Sequence, residues 1–170
     1  LSRSSPFLVM VTFLFASCKK QAINEAIEPP LMAPLTAPTT IYKPVEFGSM
    51  DYNNSSSTWS YSRSAQSTHF IVFWGAGYGT NHPNSSSVPA AYRVDITDLL
   101  NKAEQFYALN VDTLKFAKTG SKLETYKMMI FLHYTTDWMA YGGGYDDMVG
   151  ALWVSPSTCQ PVGSTIAHEI

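Results

Sequence analysis

The chain has few residues that could cross-link it and little net charge. Only 2 of its 170 residues are cysteine, so disulfides do not hold the fold together. Its 11 lysines and arginines stand against 13 acidic residues, which gives a net charge of -2 at pH 7. This balance argues against a nucleic-acid partner, which requires clustered basic residues. A hydrophobic fraction of 45%, with 14% aromatics, indicates a folded core.

The N-terminal residues have the features of a targeting segment. Arg3 is followed by an apolar run, residues 6–15, that is too short to span a bilayer as a stable helix. Ala16-Ser17 then precede Cys18, an order that resembles a bacterial lipobox. We expect residues 1–18 to be a lipoprotein signal peptide lipidated at Cys18, which predicts an outer-membrane protein facing the periplasm or the cell surface. The alternative is an ordinary secretory signal with an incidental cysteine.

The next segment, residues 19–58, is rich in proline and serine and has no steady apolar period. Such a composition is typical of an extended linker. We therefore expect residues 19–58 to be a tether and the folded domain to begin at Trp59.

Five segments of the remaining chain have recognisable patterns. His69–Trp74 and Tyr126–Tyr134 are apolar runs typical of buried strands. Asp95 is a candidate N-cap for a helix that extends to about Leu109. A glycine-rich loop is expected over Asp137–Asp147, and a short strand over Ala151–Ser155. Strands and helices in this order predict an α+β fold.

The last residues contain a pair with catalytic potential. His168-Glu169 lies where an apolar helix begins, with Val162, Ile166 and Ile170 spaced to face a core. In the motif His-Glu-x-x-His, two histidines four apart bind zinc and the glutamate is the general base. The second histidine would fall at position 172, beyond this chain. The alternative is an ordinary surface His-Glu pair.

The order of elements resembles the upper half of a zincin metallopeptidase domain, and four segments resemble an uncharacterised, mostly bacterial zincin-like family. Its members are secreted or lipid-anchored, and their motif continues as His-Glu-Ile-Gly-His. The resemblance extends from Trp59 to the end of the chain. The segments that carry it are Ala65–Trp74, Gly143–Asp147, Gly150–Pro156 and Gly163–Ile170.

This resemblance implies a twisted sheet, a backing helix and the start of an active-site helix, with the domain incomplete at its C-terminus. It implies zinc as the cofactor and a peptide or protein as the substrate. His168 would be the first zinc ligand, and Glu169 would take a proton from the water that zinc activates. The edge strand that pairs with the substrate would consist of Ala151, Leu152, Trp153, Val154 and Ser155. The 170-residue chain alone is expected to be inactive.

The rival hypothesis is a lipid-anchored binding or adhesion module that keeps the fold without catalysis, with a protein or glycan ligand. Trp138, Tyr141 and Tyr145 would then offer a sugar-stacking surface, or else pack on the core. Asp146-Asp147 would bind calcium, or form a solvated turn.

The other histidines and the second cysteine are weaker candidates for a site. His69 and His133 lie in apolar strands and are expected to be structural, and His82 is expected to be solvated. Cys159 lies in a polar turn with no identified base, which makes it a poor candidate nucleophile.

Overall fold

A computed structural model of the chain describes residues 35–170. The signal peptide, Cys18 and residues 19–34 of the predicted tether lie outside these described residues. The helices and strands are β1 (Ser64–Gln66), β2 (Phe70–Trp74), α1 (Ile96–Tyr107), β3 (Met128–Leu132), β4 (Ala140–Tyr145), β5 (Val149–Val154) and α2 (Ser164–Glu169).

The strands form one mixed sheet in the order β1-β2-β3-β5-β4. The three inner strands run parallel, and β1 and β4 pair antiparallel at the two edges. All five residues of β2 are buried, as are the last four of β3, because both faces of the sheet are covered. The predicted α+β fold is confirmed.

Helix α1 covers one face of the sheet. The side chain of Asp95 caps it by accepting a hydrogen bond from the backbone nitrogen of Asp98 at 3.0 Å. The helix ends at Tyr107 and continues as a π-helical turn, Ala108–Thr113. Its buried residues are Ile96, Leu99, Leu100, Ala103 and Tyr107. The helix predicted from the three-and-four spacing is therefore confirmed.

The other face of the sheet is covered by the segment that precedes β1. Phe47, Tyr52 and Trp59 pack against it, and Tyr52 and Trp59 are each 4% exposed. Thr40 already pairs with the chain beside β3, donating to the carbonyl oxygen of Thr125 at 3.1 Å. The predicted start of the domain at Trp59 is therefore too late, and residues 40–58 are not a tether. Single aromatic residues at irregular spacing fill this layer, so no period marks it in the sequence.

The predicted loop over Asp137–Asp147 is also wrong. Most of it is β4, which pairs with β5 from Ala140 to Tyr145. Asp146 and Asp147, with φ of 55° and 54°, form the tight turn between the two strands. Glycine is depleted in strands, so three in a row point away from this assignment.

His133 follows β3 and lies between two tryptophan rings. Its ring centroid is 5.0 Å from that of Trp59 and 5.6 Å from that of Trp153. Its Nε2 atom is buried and has no hydrogen-bond partner within residues 35–170. Burial lowers the pKa of His133 from its ordinary value, so folding favours the neutral form of this imidazole.

This burial predicts a loss of stability in mild acid. The unfolded chain takes up a proton at His133 at a higher pH than the folded chain, so the free energy of unfolding falls as the pH drops below the unfolded pKa. His133→Phe removes the ionisable ring. It should therefore reduce the change in the free energy of unfolding between about pH 7 and pH 5. Urea unfolding of both proteins across this range measures the difference, and equal slopes would contradict the prediction.

Candidate functional site

The candidate site lies on α2, which carries His168 and Glu169 in its last turn. The helix is held by the predicted apolar stripe: Val162 is 4% exposed, Ile166 is fully buried, and Ile170 packs against the same core. This anchoring leaves His168 exposed and Glu169 half-buried. The two side chains are about 100° apart around the helix, so they face different directions.

The carboxylate of Glu169 lies directly against the edge strand β4. A Cβ atom placed on Gly142 would be 3.1 Å from the Oε2 atom of Glu169 and 3.0 Å from its backbone oxygen. Such distances are shorter than most Cβ contacts, so a side chain at position 142 would require the end of α2 to shift by a few tenths of an ångström. Gly143 and Gly144 are not constrained in this way, because a Cβ atom at either position would meet no atom within 4 Å.

The structure corrects the predicted substrate strand. Residues 151–154 belong to β5, which pairs with β3 on one side and β4 on the other. Its backbone groups are therefore already used in the sheet, and Ala151–Ser155 are buried. Ser155 instead links to the start of β4, accepting from the backbone nitrogen of Met139 at 3.0 Å. The strand next to α2 with one unpaired edge among the described residues is β4.

The donors in the described part of the chain do not complete a metal site. Among residues 35–170, no group of three His, Cys, Asp or Glu side chains is arranged to hold a metal ion. A catalytic zinc requires three protein ligands, of which His168 would be one. Near α2, the described residues therefore supply one candidate zinc ligand, His168, and the adjacent carboxylate of Glu169.

His69 is structural, as predicted. Its Nδ1 atom lies 2.7 Å from Oε2 of Glu104, and its backbone nitrogen donates to the other oxygen of Glu104 at 2.7 Å. Its ring stacks on Tyr107, with centroids 4.0 Å apart. Burial alone would raise the pKa of Glu104, but the hydrogen bonds from His69 lower it. These contacts join α1 to the start of β2.

His82 and Cys159 also take the places expected for non-catalytic residues. His82 is exposed, and its Nδ1 atom accepts from the backbone nitrogen of Asn84 at 3.3 Å. Cys159 is 5% exposed, and burial raises the pKa of its thiol to about 12. Burial and a raised pKa both disfavour the thiolate, the form of cysteine that acts as a nucleophile.

The acidic and aromatic residues around β4 divide into structural and exposed groups. Asp146 accepts from the backbone nitrogen of Val45 at 2.7 Å and from the hydroxyl of Tyr42 at 3.1 Å. Tyr145 accepts from the indole nitrogen of Trp153 at 2.6 Å. Trp138 and Tyr141 instead remain 70% and 50% exposed. Asp146 therefore joins the N-terminal layer to the hairpin, while the rings of Trp138 and Tyr141 are exposed to solvent.

Comparison with protein families agrees with these domain bounds. The model of DUF6055, a family of unknown function, matches residues 34–170. The chain belongs to the DUF6055 family. Comparisons of this DUF6055 chain with curated proteins and with solved structures find no match. Within residues 35–170, the helices of the DUF6055 domain are all too short or too polar to cross a bilayer.

Sequence reasoning missed β4 and the role of Gly142 in the DUF6055 domain. The signal that was present is the alternation of Tyr141, Gly143 and Tyr145, which places two aromatic residues on one face of a strand. The contact between Gly142 and Glu169 has no local signal, since 26 residues separate them in the chain.

The contact between Gly142 and Glu169 predicts a difference between neighbouring glycines. Gly142→Ala should force the end of α2 away from β4 and lower the free energy of unfolding by about 1–3 kcal/mol, as overpacking does. Gly143→Ala is the matched control, because its Cβ would enter open space. Urea unfolding of the two variants measures the difference, and equal stability would show that α2 does not pack closely on β4.

Proposed function

We propose that this DUF6055 chain carries the first part of a zinc-dependent peptidase site, with His168 as a zinc ligand and Glu169 as the general base. The observation that supports the proposal most directly is the position of Glu169 beside β4. It places the carboxylate of a His-Glu pair over one face of the edge strand β4, to whose outer side an extended peptide could add.

His168 and Glu169 would have separate roles in hydrolysis. Zinc, when bound, would lower the pKa of a water ligand and polarise the scissile carbonyl. His168 is exposed and free to bind a metal on its side of α2. Glu169 is half-buried on the strand side, where it would accept a proton from the attacking water and return it to the leaving amine.

The substrate-binding strand of this proposal is β4. Residues Tyr141 to Gly144 are exposed, and β4 has no neighbouring strand on its outer side among the described residues. An extended peptide could add to this edge through main-chain hydrogen bonds. The open edge therefore favours a substrate that is bound by its backbone.

We also propose that Cys18 anchors the protein to the outer membrane by a covalent lipid. The apolar run of residues 6–15, followed by Ala16 and Ser17, supports this assignment. A lipid on Cys18 would present the domain at the cell envelope.

A second candidate function is a non-catalytic binding module. The exposed rings of Trp138 and Tyr141 favour it, because aromatic faces open to solvent can stack on sugars. On this reading the scaffold would bind a glycan or a protein beside β4, and His168 would bind no metal.

The lipid anchor predicts how the protein partitions. In the wild type, cleavage before Cys18 and lipidation of its thiol should send the protein to the detergent phase. Cys18→Ser removes the thiol and should leave it unlipidated, so it lacks the fatty-acid mass in mass spectrometry. Equal release of both proteins into the aqueous phase would contradict the anchor.

The catalytic roles predict different effects for two substitutions in the full-length protein. Glu169→Gln should keep bound zinc and lower peptide hydrolysis by about 10²–10⁴-fold, since the general base is lost while the ligands are untouched. His168→Ala should lose both zinc and activity. Metal analysis and a peptide-cleavage assay measure the two quantities.

His82→Ala is the matched control, because His82 is also exposed but belongs to the segment between β2 and α1. It should retain both zinc and activity. Full activity in Glu169→Gln, or no hydrolysis by the wild type with any metal, would favour the binding module.

A further inference from the structure

The segment that follows α1 presents apolar and basic side chains together on the surface. Leu109 and Leu114 are each 50% exposed, and Phe116 is 76% exposed. Lys115, Lys118 and Lys122 are exposed within the same stretch, which we name the basic-apolar loop, residues 109–122. No described residue forms an ion pair with these lysines.

Backbone hydrogen bonds fold the segment that carries these exposed apolar residues into a defined turn. The nitrogen of Leu114 donates to the carbonyl oxygen of Leu109 at 2.8 Å, and that of Phe116 donates to Asn110 at 3.0 Å. Val111 is 7% exposed, so the loop is anchored to the core from within. The exposed apolar side chains are therefore carried by a defined turn that is fixed to the core.

The basic-apolar loop lies where the chain enters the described structure. The carboxylate of Glu124 accepts from the backbone nitrogen of Gly120 at 2.6 Å and from that of Thr36 at 3.3 Å. The loop and the first described residues thus share one carboxylate. Sixteen residues, 19–34, connect this point to Cys18. Fully extended, they would span at most about 60 Å.

We propose that the basic-apolar loop is a membrane-contact surface that rests on anionic lipid headgroups. The three lysines match a negatively charged bilayer surface, and Phe116 and Leu114 are placed to enter the interface between headgroups and acyl chains. The loop shares the Glu124 carboxylate with the first described residues, so the 16-residue tether is long enough to let it reach the lipid surface. This inference rests on the proposed membrane location but not on peptidase activity.

The surface would fix the orientation of the domain on the membrane. A lipid on Cys18 alone leaves the domain free to rotate on its tether. A second contact through the basic-apolar loop would restrict that rotation, as two-point attachment does.

The test places an environment-sensitive dye (NBD) at two positions of the full chain. Phe116→Cys carries it on the loop, and Val45→Cys is the matched control, because Val45 is 74% exposed on another part of the domain. Wild-type protein taken through the same labelling reports any dye on Cys18 or on buried Cys159. The proteins are mixed with phosphatidylcholine vesicles that contain or lack phosphatidylglycerol, and flotation measures attachment.

We expect the dye at position 116 to brighten several-fold and shift to the blue on vesicles with phosphatidylglycerol, while the dye at position 45 stays unchanged. High salt should reduce the effect by screening the lysines. Combining Lys115→Glu, Lys118→Glu and Lys122→Glu should abolish the dependence on phosphatidylglycerol without preventing flotation.

Three results would overturn the membrane-contact surface. In the first, the protein floats but the dye at position 116 remains in water. In the second, both dyes respond equally. In the third, the dye at position 116 shifts without vesicles as the protein concentration rises, which identifies a second copy of the chain as the occupant. If the protein does not float with the vesicles, the lipid anchor is contradicted. The dye at position 116 would then still report whether the loop contacts added vesicles.

Discussion

The fold depends on a sheet whose inner strands must be covered on both faces. Strands β2, β3 and β5 are parallel and almost wholly apolar, so either face left open would expose a large hydrophobic surface. Helices α1 and α2 cover one face, and the aromatic segment before β1 covers the other. The position of α2, and hence of His168 and Glu169, follows from this requirement, because Ile166 must reach the same core as α1.

The contact between α2 and β4 then sets the geometry of the candidate site. Glycine at position 142 lets the end of the helix approach the edge strand closely, which places the Glu169 carboxylate over one face of that strand. The same strand carries exposed aromatic residues on either side of its start, Trp138 and Tyr141. One short segment thus contributes the features on which both the peptidase and the binding-module proposals depend.

Several parts of the fold could be predicted from the sequence because their signals are local. The helix begun by Asp95 has a cap and a three-and-four apolar period, and the strands near His69 and Tyr126 are continuous apolar runs. The stripe of Val162, Ile166 and Ile170 likewise predicted the buried side of α2. Each of these patterns repeats within one or two turns or within one strand, so neighbouring residues suffice to reveal it.

The sequence by itself determined the α+β class, the buried strands, the main helix and the His-Glu pair, since these depend on the order of apolar and polar residues along the chain. Only the tertiary structure decided which strand lies at the edge. Residues 151–154 and 140–145 are both extended. Their positions in the sheet follow from pairing between strands, which produces no periodic pattern in the sequence. Packing between distant segments likewise decided that residues 40–58 belong to the domain and that Gly142 lies against Glu169. Such contacts join residues far apart in the chain, so they arise only when the core forms.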